Sequence, residues 1–219
     1  MYSMNFRFLR EYLPDFLQGT KITVILTSSS LVFGFILGVI FALLHNSKNR
    51  ALHLIALSWV EFIRNTPFLV QLFFLYYGLP ELGISTSPIT TGIIALSLNV
   101  SAANCEVIRA GLLGVKKPYI ESSLALGFSP FQTVLHTTVP IAVRLCFRSL
   151  MNNFINLVLT SSVVFSITVI ELMGTGKLVS TWTSRPIEVF LTVMLAYCVI
   201  TFTLTAIGAL VNKKIAIQL

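Results

Sequence analysis

The chain has 219 residues, of which 55% are hydrophobic and 11% charged, with a mean hydropathy of +0.87 and a formal net charge of +7. So few charges cannot clothe a water-exposed globule, which excludes a soluble domain and predicts an all-α integral membrane protein with room for about five spans of ~20 apolar residues. The positive balance would suggest nucleic acid in a soluble protein, but here sorting the cations by membrane side accounts for them and no nucleic-acid partner is expected.

Residues 1–20 carry Arg7, Arg10, Glu11 and Asp15 among aromatics, with no clean apolar run ending in small residues. This predicts an amphipathic segment lying along the membrane surface and retained on the mature chain. A first span follows over 22–44, with Gly34 and Gly38 at the small-xxx-small spacing that lets helices pack closely. After the basic loop HNSKNRALH, a second span covers 54–78 and should kink at Pro67, whose ring crowds the carbonyl of Ile63. Thr66 or Gln71 is placed to satisfy the freed backbone group. The turn LPELGISTSP carries no Lys or Arg and leads to a third span over 89–108.

A polar segment, 116–140, comes next. A fourth membrane region begins near Phe131, is interrupted at Pro140 and resumes over about 150–169. ELMGTGKLVSTWTSRP reads as a glycine-containing loop, 187–211 as a fifth span, and NKKIAIQL as a basic tail. The whole chain, 1–219, is then one transmembrane domain without an internal repeat. Cys105, Cys146 and Cys198 lack metal-ligand or disulfide spacing and are expected to be packing residues.

Orientation follows from the cations. With the N-terminus outside, the inner side carries Lys48, Arg50, Arg109, Lys116, Lys117, Arg144, Arg148, Lys213 and Lys214, whereas Glu11, Asp15, Glu81, Glu171 and Glu188 balance the outer set. The C-terminus and residues 116–140 are then cytoplasmic.

Within 116–140, Pro118 suits the first turn of a helix and Gly127 the position just after one, leaving a helix of about two turns between them. Ser129, Pro130 and Gln132 spell a capping box for the helix that follows. An isolated two-turn helix is unstable, so Tyr119, Ile120, Leu124 and Leu126 must be covered, either by a cytoplasmic partner or by the protein's own helix ends.

The order Glu121-Ser-Ser, three residues, Gly127, nine residues, Thr-Thr-Val-Pro140 resembles the EAA loop of membrane permeases in ATP-binding-cassette importers. There the pattern is Glu-Ala-Ala, three residues, Gly, nine residues, Ile-x-Leu-Pro; here Ser122 and Ser123 stand for the alanines, and Thr137 and Val139 for the isoleucine and leucine. VEFIRNTPFLVQLFFLYYGLP, 60–80, is similar to a segment of the polar amino-acid branch, as are Glu106 with Arg109 and residues 149–172.

The resemblance implies a type I importer permease fold in a bacterial cytoplasmic membrane. It implies a coupling helix whose Tyr119, Ile120, Glu121, Ser122, Ser123, Leu124, Ala125 and Gly127 meet a separate ATPase. It further implies a second permease copy or paralogue, two cytoplasmic ATPase subunits that bind ATP and Mg, and an extracytoplasmic amino-acid-binding protein. No G-x-x-x-x-G-K-[ST] phosphate loop is present, so this chain is expected to bind no nucleotide or other cofactor itself.

Glu61 with Arg64, and Glu106 with Arg109, sit three apart and are each expected to pair. Arg64, Thr66, Gln71, Asn99, Asn156, Thr160, Ser161 and Ser162 are substrate-path candidates. Hydrogen bonding between helices is the alternative role for most of them. Relatives often carry a charged pair just before the residues matching Ser161 and Ser162, whereas Leu159 and Thr160 stand here; that points to a neutral polar amino acid. Neither H-E-x-x-H nor G-x-S-x-G occurs, His45, His53 and His136 are scattered, and no catalytic or metal-binding set emerges. The remaining alternative is an ion-driven carrier working without an ATPase, which would usually show repeated halves.

Overall fold

The computed structural model describes residues 4–215, and all regular structure among them is helical. Helix α1, Phe8–His45, is continuous. Residues 8–20, expected to lie along the membrane surface, are thus continuous with the first span as one helix, and residues 1–3 of that segment lie outside the described residues. Phe8 and Phe16 are buried in a cluster with Leu172, Val179, Val189 and Val193, whereas Leu13 and Leu17 remain exposed.

Asn49 caps α2, Arg50–Arg64, by accepting from the Ala51 N–H. The helix returns along α1, with Phe41 stacked on Trp59 at 4.9 Å and His45 edge-on to His53 at 4.5 Å. The expected kink at Pro67 is a full break: α2 ends, Pro67 is extended with ψ 135°, and α3, Phe68–Phe73, starts afresh. A wide π turn, Phe74–Gly78, and a last turn, Leu79–Glu81, complete it. This broken pair takes the place of the predicted second span.

Ser87 caps α4, Pro88–Leu113, by accepting from the Thr90 N–H, with Pro88 in the first turn where a missing N–H is harmless. Contacts between α1 and α4 climb in step. The Ser30 hydroxyl donates to the Ile93 carbonyl at 3.2 Å, Gly34 lies over Ser97 and Val100, and Gly38 lies over Ser101 and Asn104. The two helices are therefore parallel. A Cβ at Gly34 would overlap the Val100 side chain and come 3.0 Å from the Ser97 carbonyl; one at Gly38 would come 2.7 Å from the Asn104 Cβ. Gly34→Val is accordingly expected to destabilise the bundle by roughly 1–3 kcal/mol through overpacking. The readout is a lower thermal unfolding midpoint in detergent, and an unchanged midpoint would mean that the helices do not meet there.

The short α5, Lys117–Ala125, precedes α6, Pro130–Ile167. Pro140 does not interrupt α6. Instead the helix widens into a π turn at Val134–Thr138 just ahead of it, as α3 does before Pro80. A proline offers no N–H and crowds the carbonyl four residues back, and a π turn spreads the backbone where that conflict falls. α6 tightens into a 3₁₀ turn over Ser162–Ile167 and stops at Thr168, held in the left-handed region at φ 69°. It runs antiparallel to α4, since Gly92 meets Val164, Asn104 meets Asn153 and Gly111 meets Cys146.

The expected loop after α6 is a helix, α7, Leu172–Thr183. Its glycines serve close packing: a Cβ at Gly174 would lie 2.7 Å from the Val169 carbonyl, and one at Gly176 2.5 Å from Val193. Helix α8, Pro186–Ile215, lies antiparallel to α6, with Gly208 against Met151.

Among the described residues α1, α4, α6 and α8 are long and apolar enough to cross a membrane. The core between them gathers Leu26, Leu72, Leu96, Leu157, Val164 and Ile167. Cys105 and Cys146 are buried and Cys198 is half-buried, all as free thiols. Because α1, α4 and α8 run one way and α6 the other, one end of the bundle collects His45, Arg50, Leu113, residues 114–130 and the last described turn of α8.

Candidate functional site

At that end α5 protrudes. Pro118 sits in its first turn and Gly127, at φ 86°, ends it. The Gly127 N–H donates to the Leu124 carbonyl at 3.0 Å and the Phe128 N–H to the Ser123 carbonyl at 3.2 Å. That pair of bonds closes a helix whose next residue must be left-handed. Two residues on, the capping box forms as predicted: Gln132 N–H donates to the Ser129 hydroxyl and the Ser129 N–H to the Gln132 side chain at 2.8 Å. The chain between α5 and α6 is thus fixed at both ends by local chemistry.

The coupling candidates divide by exposure. Tyr119, Glu121, Ser122, Leu124, Ala125 and Gly127 face outward and Ile120 is half-buried, whereas Ser123 is buried. The Ser123 hydroxyl donates to the Tyr119 carbonyl at 2.9 Å and lies 2.7 Å from the Thr137 hydroxyl. Ser123 and Thr137 are two of the positions that depart from the Ala and Ile of the EAA pattern, and here they join α5 to α6 by a hydrogen bond. Around this anchor Tyr119, Leu124, Leu126, Phe128 and Phe131 form an exposed apolar knob, larger than an isolated surface leucine would warrant.

The path candidates do not form one cluster. Gln71 and Thr66 meet at the break: the Gln71 amide donates to the Ile63 carbonyl at 2.8 Å and to the Thr66 hydroxyl at 2.7 Å, and the Thr66 hydroxyl lies 2.8 Å from the Phe62 carbonyl. Together they satisfy the backbone that Pro67 strips of a partner, the role predicted for them from sequence. The Gln71 carbonyl oxygen is left buried without a partner.

The expected Glu61–Arg64 pair does not form. Arg64 instead reaches Glu106 on α4 at 3.8 Å, and Glu106 also holds Arg109 at 3.3 Å. The break after Arg64 turns that side chain toward a neighbouring helix, which i,i+3 arithmetic could not foresee. Asn99 is half-buried, Asn156 exposed and Thr160 half-buried. Ser161 is buried and donates to the Val158 carbonyl at 2.7 Å, while Ser162 donates to the Leu159 carbonyl at 2.6 Å. Both serines close their own helix, as hydroxyls in membrane helices do.

Sequence reasoning missed a buried polar cluster around Glu171. Glu171 and Glu188, assigned to an outer charged surface, are both fully buried. Glu171 caps α7 by accepting from the Gly174 N–H at 2.8 Å, accepts from the Tyr197 hydroxyl at 2.7 Å, and lies 3.3 Å from the Thr23 hydroxyl. Thr23 in turn accepts from the Leu172 N–H at 3.1 Å. Glu188 is bound by Arg185 at 3.0 Å and by the Asn5 N–H at 3.1 Å. An acid between apolar residues three places before a glycine, VIELMG, was the available signal for a helix cap. Asn104 and Asn153 form a second interior link, 3.1 Å, between α4 and α6.

Known proteins share both sequence and architecture with this bundle. A probable amino-acid ABC transporter permease protein, PatM, of Vibrio harveyi is 32% identical over 96% of each chain. The nopaline transport system permease protein NocM of Agrobacterium fabrum is 34% identical over 92% of this chain and 88% of its own. The crystal structure of an amino acid ABC transporter with histidines superposes with a TM-score of 0.90 at 30% identity, covering 97% of this chain and all of that one. Residues 34–217 match the family described as binding-protein-dependent transport system inner membrane component, and the chain belongs to that family.

Proposed function

We propose that this chain is the membrane-spanning subunit of an ATP-driven importer that moves a polar amino acid across a bacterial cytoplasmic membrane by alternating access. The exposed apolar knob on α5, pinned to α6 through Ser123 and Thr137, carries the reading. A two-turn helix held that firmly and left uncovered suits a groove on a cytoplasmic ATPase. Two ATPase subunits would bind the ATP and Mg, a second permease copy or paralogue would complete the path, an extracytoplasmic binding protein would deliver substrate, and membrane lipid would surround the apolar faces of α1 and α8. Family membership and the amino-acid permeases among the relatives support this assembly.

An N-terminus outside and a C-terminus inside is the orientation we favour. Lys48, Arg50, Lys116, Lys117, Lys213 and Lys214 gather at the bundle end that bears α5, as cytoplasmic cations do. ATP-driven closure of the two ATPases then draws the paired α5 helices together, and α6, rooted in the same loop, transmits the shift along its length. Binding at either end biases the two states only by its differential affinity for them.

Vesicles containing the permease with and without its ATPase and binding protein test the reading. Uptake of a neutral polar amino acid is expected only with all components and ATP. Uptake driven by an ion gradient without any ATPase would overturn it in favour of a secondary carrier.

A further inference from the structure

Arg144, Arg148, Asn152, Asn156 and Thr160 follow one another at four-residue spacing along α6, close to one helical turn, and so form a single ridge. The first four are exposed and Thr160 is half-buried, on a helix apolar enough to span a membrane. Arginine facing hydrocarbon is costly, so such a ridge faces water or protein.

Beside it a cleft of about 600 Å³ opens between α6 and α8. Arg148, Asn152, Thr205, Asn212 and Lys213 supply its polar side chains, and Phe147 and Met151 part of its apolar wall. No acidic side chain lines it, and among the described residues no carboxylate lies within ion-pair distance of Arg144, Arg148 or Lys213. Arg64 and Arg109, by contrast, already share Glu106. The cleft therefore offers uncompensated positive charge, two amides and an apolar wall in a volume that suits a small polar molecule.

We propose that Arg148 and Lys213 form a cationic collar on the inner half of the transport path, which holds the carboxylate of an amino acid carrying no net positive charge and turns away amino acids with cationic side chains. The collar deepens the importer reading and rests on it. Positive potential in a cleft with low-dielectric walls concentrates anions and repels cations, so the ridge above it, uncharged from Asn152 to Thr160, passes a carboxylate down toward the collar.

The test measures binding of radiolabelled glutamine, glutamate and arginine to the purified permease–ATPase complex without the binding protein, which removes that protein's own selectivity. The wild-type complex is expected to hold glutamine and glutamate at least about tenfold more tightly than arginine, a difference of about 1.4 kcal/mol. R148E with K213E should invert that order. R148Q alone, which adds no acid to the helix, should narrow the arginine deficit by about threefold, roughly half the tenfold step, and keeps the test open if the double variant fails to assemble.

An unchanged order in the assembled double variant, or an unchanged arginine deficit in R148Q, overturns the collar. So does an unchanged order accompanied by loss of a co-purified anionic phospholipid in native mass spectrometry, which would assign the cleft to a lipid headgroup, or by dissociation of the permease dimer, which would assign it to the second copy. Absence of ATP-dependent uptake in the complete wild-type system would instead sink the importer reading, a result independent of these binding ratios.

Discussion

Glu171→Ala is expected to cost the bundle roughly 3–5 kcal/mol, because it strips partners from buried donors at about 1–3 kcal/mol each. The Gly174 N–H loses its cap and the Tyr197 hydroxyl its acceptor, and both groups are buried. Thr23, which also bonds to the Gly19 carbonyl at 3.1 Å and to the Leu172 N–H, loses one of its contacts and with it part of the tie between α1 and α7. Against a total stability of about 5–15 kcal/mol such a loss is severe. It should appear as a fall in the yield of monodisperse protein and a lower thermal midpoint in detergent.

Glu171→Gln is the informative companion. It keeps one oxygen to accept from Gly174 and an amide that can donate to the Tyr197 oxygen, so it should retain most of the midpoint. Tyr197→Phe removes a single bond and should fall between the two. An alanine variant that melts with the wild type would show that the carboxyl holds nothing together.

Glu171 meets Thr23 from α1 and Tyr197 from α8, and no spacing rule links residues that far apart. The glycines of ELMGTGK read as loop because their local preference is for turns, yet their lack of side chains is what admits Val169 and Val193 and lets α7 pack. Arg64 misled for the same reason, since its partner lies on another helix. What was legible was local: Ser129 with Gln132, Gly127 after a helix, and Gln71 answering the carbonyl that Pro67 displaces are all set within a few residues. Gly34 and Gly38 belong with them, because helical spacing alone puts them on one face even though the helix they meet was not foreseen. Pro140 marks the boundary between the two kinds of inference. A proline signals trouble for a helix, but whether it is met by a break, as at Pro67, or by a π turn, as before Pro140, depends on packing.

Gly127→Val is expected to abolish most coupling while leaving the bundle folded. A Cβ at Gly127 would meet nothing within 4 Å, so the substitution adds no clash. Its effect comes from the backbone alone, since φ 86° is left-handed and a β-branched residue there pays on the order of 1–3 kcal/mol. Releasing that strain opens the turn made by the Gly127 and Phe128 N–H bonds and re-aims α5 relative to the capping box at Ser129. Because α5 is exposed, the cost falls on the loop and the thermal midpoint of the bundle should hold. In the assembled complex, substrate-stimulated ATP hydrolysis and uptake should fall by about tenfold or more, as a loss of about 1.4 kcal/mol or greater in the coupled state requires. Gly127→Asn separates conformation from bulk: asparagine tolerates the left-handed region far better than valine and should keep most of the coupling although it too adds a side chain. Gly127→Asp, which adds a charge at the knob, should lie between them. If the valine variant assembles with the ATPase and still shows full substrate-stimulated hydrolysis, the helix at 117–125 is not the element that carries the ATPase stroke into the membrane.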